Sequence, residues 1–417
     1  MKKSAGFTVE VDEQGHLILP ESVRKSYGIT PGAKMRLQQT DTGIYLSRSS
    51  DNLARIYVEP TNLCNLRCVT CMRNVWNEAS GYMRQEIYDK IIAGLHSVNP
   101  TPSVFFSGFG EPLTHPDIIQ MVAQAREAGA CVELITNGIL LTAQMARGLK
   151  QAGLNRLWVS IDGATSDSYA DIRLGAALPQ VIENLRYLAK LRGPISTDLP
   201  RLGIAFVAMK RNIADLPEIL RLGRSLGVDQ YSFSNVMPHT LELRREMLYL
   251  KSLRNRDTIP SQFSPLISLP RLDSDDDIQN ALLHIYKSNH VLSVARQVID
   301  RSAGACPFID KASLSVRWDG AVSPCLPLMH EHDSYLGARL RKTYAHTVGS
   351  LHERGLVEIW NDPPYRSLRE ALVQFDFSPC AYCNSCEMAD DNRQDCYSNL
   401  LPACGGCLWA EGYIQCP

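Results

Sequence analysis

Hydrophobic positions change their period along the chain. Over residues 1–50 they come in short alternating runs: Phe7-Thr8-Val9-Glu10-Val11, His16-Leu17-Ile18-Leu19-Pro20, Lys34-Met35-Arg36-Leu37 and Gly43-Ile44-Tyr45-Leu46. Period-two alternation broken by Gly and Asp predicts small strands and hairpins. Between them, Pro20 to Gly28 reads as one short helix, opened by proline and stopped by glycine. From about residue 54 to 236, apolar strands alternate with amphipathic helices. Strands are predicted near 55–60, 102–107, 131–136, 156–161, 202–208 and 230–235, with helices including 85–97, 116–128, 142–152 and 179–192. Repeated βα units imply a parallel sheet with right-handed crossovers. Six units without a clear seventh or eighth predict an α/β fold, a partial (β/α)6 TIM-like barrel that binds ligands at the carboxyl ends of its strands. Residues 237–304 read as a linker or insert, with a solvated acidic run from Asp273 to Asp277 and a helix from Ile278 to about Arg301. Residues 305–417 are rich in Cys, Pro and Gly and short of periodic segments, so metal centres are needed to hold them together.

Composition narrows the class. The 417 residues are 45% apolar, enough for a sizeable core, and the net charge of −1 argues against a basic nucleic-acid surface over the whole protein. No run of 18 apolar residues occurs and the amino terminus lacks a signal-peptide core, so a cytoplasmic protein outside the membrane is expected. Thirteen cysteines in a reducing compartment read as ligands rather than disulfides. Three lie at 64–71, Cys131 stands alone, and nine fall between Cys306 and Cys416. Cys131 opens an apolar strand and is expected to be a buried small hydrophobe.

The run Glu59-Pro60-Thr61-Asn62-Leu63-Cys64-Asn65-Leu66-Arg67-Cys68-Val69-Thr70-Cys71 follows the first predicted strand directly. Thiolates spaced by three and then two residues can wrap one face of a [4Fe–4S] cluster and leave one iron open for a substrate or cofactor. A zinc site is the competing reading, but no fourth ligand lies nearby. This spacing, after strand one, resembles the radical S-adenosylmethionine (SAM) superfamily. The resemblance implies a cluster held by Cys64, Cys68 and Cys71, with SAM chelated by its open iron and cleaved reductively to a 5′-deoxyadenosyl radical. It also implies an electron donor such as a ferredoxin or flavodoxin. Ser107-Gly108-Phe109-Gly110-Glu111-Pro112 resembles the family's glycine-rich loop, where Gly108 and Gly110 permit close backbone approach and the Glu111 carboxylate suits the methionine ammonium. Asn137, in Thr136-Asn137-Gly138, ends strand three. Ser160 and Asp162 end strand four and resemble positions near the methionine carboxylate and ribose; simple turn chemistry is their alternative. The residue before the third cysteine is usually aromatic and lies against adenine, whereas here it is Thr70.

Cys306, Gly320 and Cys325, spaced by thirteen and four residues, resemble the opening of a SPASM domain, which implies auxiliary [4Fe–4S] clusters. Cys380, Cys383, Cys386, Cys396, Cys404, Cys407 and Cys416 follow, with a third spacing narrower than the family's. Nine thiols exceed the eight that two clusters need, so two auxiliary clusters are expected with their ligands unpaired. A zinc ribbon from 380–386 and 404–407 is the alternative. His330-Glu331-His332 is expected to be exposed. Asp171-Ile172-Arg173 is expected either to meet substrate or to form a surface ion pair.

Residues 1–50 resemble the SpoVT/AbrB swapped-hairpin type over Val11 to Pro20, Arg24 and Tyr27 to Gly32. With few basic residues, a docking role or a homodimer through this module is expected in preference to DNA binding. The head, the run Cys71-Met72-Arg73-Asn74-Val75-Trp76 and the cysteine-dense tail together resemble maturases of tungsten-containing aldehyde oxidoreductases. That implies a client protein or peptide as partner. A peptide-crosslinking maturase and a DNA-binding iron–sulfur redox sensor are the competing functions.

Overall fold

The computed structural model describes residues 9–21, 23–24, 35–40, 43–48, 51–192, 199–250, 253, 292–294, 306–383 and 386–417. At the amino end two antiparallel pairs form, β1 (Glu10–Val11) with β2 (Leu17–Ile18) and β3 (Met35–Thr40) with β4 (Gly43–Arg48). Of the helix predicted between them, Glu21, Val23 and Arg24 are described and helical.

Six parallel strands then follow one another across a sheet in chain order: β5 (Arg55–Val58), β6 (Ser103–Phe106), β7 (Val132–Thr136), β8 (Arg156–Ser160), β9 (Arg201–Ala208) and β10 (Gln230–Asn235). The crossover helices include α1 (Gln85–Ser97), α2 (Ile118–Glu127), α3 (Ala143–Gln151), α4 (Ser166–Ile172), α5 (Leu178–Arg192) and α6 (Leu216–Ser225). Both faces of the sheet are covered, as parallel sheets require. One face presents Ile56, Val58, Val104, Phe106, Leu134 and Val159 to the helices. The other presents Tyr57, Phe105 and Trp158, which pack on Phe308, Leu326, Trp409 and Tyr413 of the carboxy-terminal region. Burying each such aromatic is worth about 1.5–3 kcal/mol, so the carboxy-terminal region is a structural part of the barrel core.

The sheet continues beyond the six predicted units. Strand β11 (Leu292–Val294) pairs parallel with β10, and β12 (Ser313–Val316) pairs parallel with β5. The antiparallel strands β13 (Ala321–Ser323) and β16 (Gly349–Ser350) extend that second edge to ten strands. A separate pair, β14 (His332–Leu336) with β15 (Arg339–Thr343), carries the region between them. The sheet therefore joins strands from both sides of residue 305.

Three expectations are corrected. The helix predicted from Ile278 to Arg301 contains a strand at 292–294, where Leu-Ser-Val meets the unpaired edge of β10. The rest of that helix and the acidic run lie outside the described residues. Cys131 is exposed, because it precedes β7 on the pleat that points away from buried Val132 and Leu134. His330 and His332 are 0% and 3% exposed, since the chain between β13 and β14 packs His330 on Glu59 at the carboxyl end of β5 rather than onto the surface.

Candidate active site

The segment from Thr61 to Cys71 leaves β5 at its carboxyl end and is pinned before it reaches the first cysteine. Thr61 Oγ1 donates to the Gly81 carbonyl (2.6 Å) and accepts from the Leu63 amide (3.0 Å). Asn62 bonds the Ala79 carbonyl and the Gly81 amide. Beyond these bonds, the Cys71 amide donates to the Cys68 carbonyl (3.1 Å) and closes a turn. The three thiols face one cavity of 310 Å³, shared with Gly108, Phe109, Gly110, Glu111, Asn137, Ser160 and Arg173.

Nitrogen donors point at two of these sulfurs. The Leu66 amide lies 3.4 Å from Cys64 Sγ, Asn137 Nδ2 lies 3.9 Å from it, and Arg173 Nη1 lies 3.9 Å from Cys68 Sγ. N–H groups aimed at sulfur stabilise thiolates and tune an iron–sulfur cluster. Burial acts the other way, raising all three thiols and Cys71 to about 11. Buried thiolates here need a strong local cation, which iron supplies, so the residues present fit the cluster.

The glycine-rich loop is a close backbone contact. Gly108 adopts φ +102°, and a Cβ there would meet Glu59 Cγ at 2.5 Å. A Cβ on Gly110 would lie 2.1 Å from the Thr61 carbonyl oxygen, so this loop and the cysteine loop fit only with hydrogen at both positions. Glu111 is 2% exposed and accepts from Thr136 Oγ1 (2.7 Å), the Asn137 amide (2.7 Å) and the Leu113 amide (3.0 Å). Burial outweighs these bonds and raises its pKa. Three of about four acceptor sites are used, leaving one for an ammonium group. Asn137 in turn donates to Asn65 Oδ1 (2.8 Å) and ties β7 to the cysteine loop.

Ser160 reaches the cavity, but Asp162 does not line it. Asp162 is fully buried, accepts from the Val207 amide (2.8 Å) and pairs with Arg173 Nη2 at 2.6 Å. Arg173, 8% exposed, is the cation that lines the cavity. Its burial opposes the charge, yet Asp162 and the nearby Cys68 thiol more than compensate and raise its pKa. Asp171 instead makes the surface ion pair, with Arg211 at 2.8 Å. Sequence reasoning left Arg173 open because its buried partner lies eleven residues back in the chain, on another element.

Apart from Cys416, the far wall comes from residues no local motif flags. Trp409, Ile414, Gln415, Cys416 and Pro417 line the same cavity opposite the cysteine loop. Asn235 Nδ2 donates to the Tyr413 carbonyl (2.9 Å) and the Gln415 amide to Ser234 Oγ (3.0 Å), fixing this segment on the end of β10.

The other cysteines separate into groups. Cys306, Cys325, Cys404 and Cys407 line one apolar cavity beneath the barrel. Burial raises all four thiols and brings Cys306 to about 12. Cys380, 3.0 Å from Ser378 Oγ, interacts electrostatically with Cys396. Cys383 is partly buried and Cys386 exposed on the same stretch. The pairing of 404–407 with 306 and 325 does not match a zinc ribbon built from 380–386 and 404–407. Among the described residues, no three His, Cys, Asp or Glu side chains converge closely enough to share a single metal ion.

Comparison with known proteins agrees with this geometry. Residues 58–223 match the family model described as the radical SAM superfamily, and residues 306–387 match SPASM, an iron–sulfur cluster-binding domain. The chain is 28% identical over 368 residues to a tungsten-containing aldehyde ferredoxin oxidoreductase cofactor-modifying protein of Pyrococcus furiosus, covering 87% of this chain and 96% of that one. An Fe-coproporphyrin III synthase of Methanosarcina barkeri is 25% identical, covering 88% of each. Among solved structures, anSMEcpe with bound AdoMet superposes with a TM-score of 0.54 at 14% identity, covering 86% of this chain and 96% of that one. Streptococcus suis SuiB bound to its precursor peptide SuiA gives 0.52 at 16%, covering 80% and 70%. No described helix is long and apolar enough to cross a membrane. The chain thus carries a radical SAM superfamily domain over residues 58–223 and a SPASM domain over 306–387: it is an enzyme with a [4Fe–4S] cluster and SAM as cofactors and with auxiliary iron–sulfur clusters.

Proposed function

We propose that this enzyme is a maturase that modifies a client protein, or the cofactor that protein carries, in the assembly of a tungsten-containing oxidoreductase. The observation that carries the reading is the similarity to the Pyrococcus furiosus cofactor-modifying protein, which spans 87% of this chain and 96% of that protein.

In this reading Cys64, Cys68 and Cys71 hold the cluster. When bound, the cluster and SAM supply a 5′-deoxyadenosyl radical. The chain's own residues orient and enclose. Gly108 and Gly110 let backbone approach the ligand, the remaining acceptor site of Glu111 takes the methionine ammonium, and Arg173 takes the carboxylate. Asn137 and Ser160 contribute polar contacts. Asp162 acts through Arg173 by holding it charged and in place. Met72, Phe206, Met237, Trp409 and Ile414 line the rest of the cavity and keep water from a reactive species. Cys306, Cys325, Cys404 and Cys407 hold one auxiliary cluster. Cys380, Cys383, Cys386 and Cys396 hold the second.

Residues 1–50 serve as the docking module. Val11, Leu17, Ile18, Leu37 and Ile44 are exposed on its hairpins, which supports a contact surface there. The SuiB–SuiA complex shares this fold, so a peptide substrate is the second reading. Reconstituted enzyme with a ferredoxin or flavodoxin as reductant should release 5′-deoxyadenosine from SAM, and Cys68→Ala should abolish it. Cells lacking this protein should yield a tungsten oxidoreductase with unmodified cofactor and little activity. A fully active oxidoreductase from such cells rules out the client assignment.

A further inference from the structure

His330, itself fully buried, is joined to two carboxylates. Its Nε2 lies 3.0 and 3.2 Å from the two oxygens of Glu59, and its Nδ1 lies 2.5 Å from Glu78 Oε2. Neutral imidazole carries one N–H, so two ionised carboxylates are both met only by imidazolium. His330 and Glu59 are both 0% exposed. Arg317 completes the group: its Nη2 lies 3.6 Å from Glu78, it grips Asp319 through two nitrogens, and its Nη1 donates to the Met329 carbonyl beside His330. Two cations thus face three carboxylates: Arg317 is taken mainly by Asp319, and His330 is the cation in contact with buried Glu59. His332 follows on the same segment, bonds the His330 carbonyl, and is held toward the neutral form chiefly by burial.

These charged groups come from three regions. Glu59 ends strand β5, Glu78 follows the cysteine loop, and Arg317 and His330 belong to the carboxy-terminal region. Glu59 is also the anchor of the glycine-rich loop: its Oε1 accepts the Phe109 amide at 3.0 Å, and its Cβ and Cγ occupy the space that a side chain on Gly108 would need. Trp76 covers the imidazole with ring centroids 4.1 Å apart, and Phe109 meets both rings edge-on at 5.1 and 5.5 Å.

We infer that His330 is a positioning residue through which the SPASM-bearing region sets the SAM site. It holds the Glu59 carboxylate, and Glu59 holds the Phe109 amide and the Gly108–Gly110 backbone against the cysteine loop. The inference rests on the reading of that loop as part of the SAM site. Losing the imidazolium leaves Glu59 buried with one amide donor and an unbalanced charge, and the loop it anchors shifts.

Hydrogen exchange of the 105–113 segment and equilibrium SAM binding, on protein of matched iron content, test this. His330→Gln should exchange the Phe109 amide about tenfold faster and weaken SAM binding by about tenfold or more. A pH series separates positioning from general damage. Burial lowers the His330 pKa, but the bonds and charges of Glu59 and Glu78 outweigh it and raise the value above that of free histidine. The clamp is therefore complete at low pH and is lost as pH rises through the raised value. Wild-type SAM affinity should fall on that rise, Glu78→Gln should move the fall to lower pH, and His330→Gln should lack it. Glu78 is partly exposed, so its variant keeps the test available if His330→Gln folds poorly. Unchanged exchange in both variants, or a pH response that survives in His330→Gln, overturns the inference. Faster exchange at unchanged SAM affinity also overturns it, by removing the loop from the SAM site rather than His330 from the loop.

Discussion

Replacing Arg173 with leucine separates the two duties of that side chain. Arg173 Nη2 meets Asp162 at 2.6 Å, where Asp162 is fully buried and has the Val207 amide as its one other side-chain partner. Removing one member of a buried pair leaves the other charge uncompensated, at a cost of about 3–5 kcal/mol. Arg173→Leu should therefore lower the unfolding free energy by an amount in that range, read from denaturant titrations followed by tryptophan fluorescence. Adding Asp162→Asn removes the stranded charge while keeping the side chain's shape, and should return at least half of the loss. SAM binding should follow a different course, because a neutral double variant restores no cation to the cavity. It should stay weakened in both variants by about tenfold or more, as expected for a lost charge-assisted bond. Two results refute the reasoning. A single variant that loses less than about 1 kcal/mol shows that Asp162 does not depend on Arg173. A double variant that recovers SAM binding shows that Arg173 acts only through the fold.

Gly110→Ala would place a methyl 2.1 Å from the Thr61 carbonyl, so backbone must move; SAM-dependent 5′-deoxyadenosine release should fall about a hundredfold, measured by chromatography. A rate within twofold of wild type contradicts the close-approach account. Cys404→Ser and Cys306→Ser should each remove about four irons per chain, the content of one cluster, whereas Cys416→Ser should remove none, because Cys416 lines the SAM cavity and not the four-thiol cavity. Iron loss in Cys416→Ser would return that residue to the ligand set. Thr142→Ala deletes the cap that accepts the Met145 amide at 3.2 Å and should cost about 1 kcal/mol without altering SAM cleavage, a control for stability alone.

The barrel was legible because its information is local. Strand positions at 55–58, 103–106, 132–136, 156–160, 201–208 and 230–235 follow from runs of apolar residues bounded by turns, and each strand pairs with its neighbour in sequence. The cysteine triad stood out for the same reason, since three thiols close together in one loop can face one cavity, as these do. Sequence spacing of the later cysteines did not reveal their partition. Cys325 and Cys404 are 79 positions apart yet share a cavity, because β12 and β13 carry one of them beneath the barrel and the tail returns with the other.

What remained hidden is chiefly what the carboxy-terminal region does to the barrel. A polar-looking segment, His330-Glu331-His332, reads as surface because nothing in its neighbours tells which side of a sheet it will meet. Its burial depends on β12 adding to β5 in parallel register, Ser313 opposite Arg55 and Val316 opposite Val58, which brings the next turn over the carboxyl end of the first barrel strand. Once that strand is in place, Glu59 at the end of β5 must lose its water. A buried carboxylate without a cation is expensive, and the residue that arrives over it is histidine. The same addition brings Arg317 to Glu78 and Trp409 to the cavity wall. Strand β12 thus converts a generic open barrel into one whose glycine-rich loop, cysteine loop and far wall are all braced by the SPASM-bearing region. The chemistry of the triad begins in one module but is enclosed by the other.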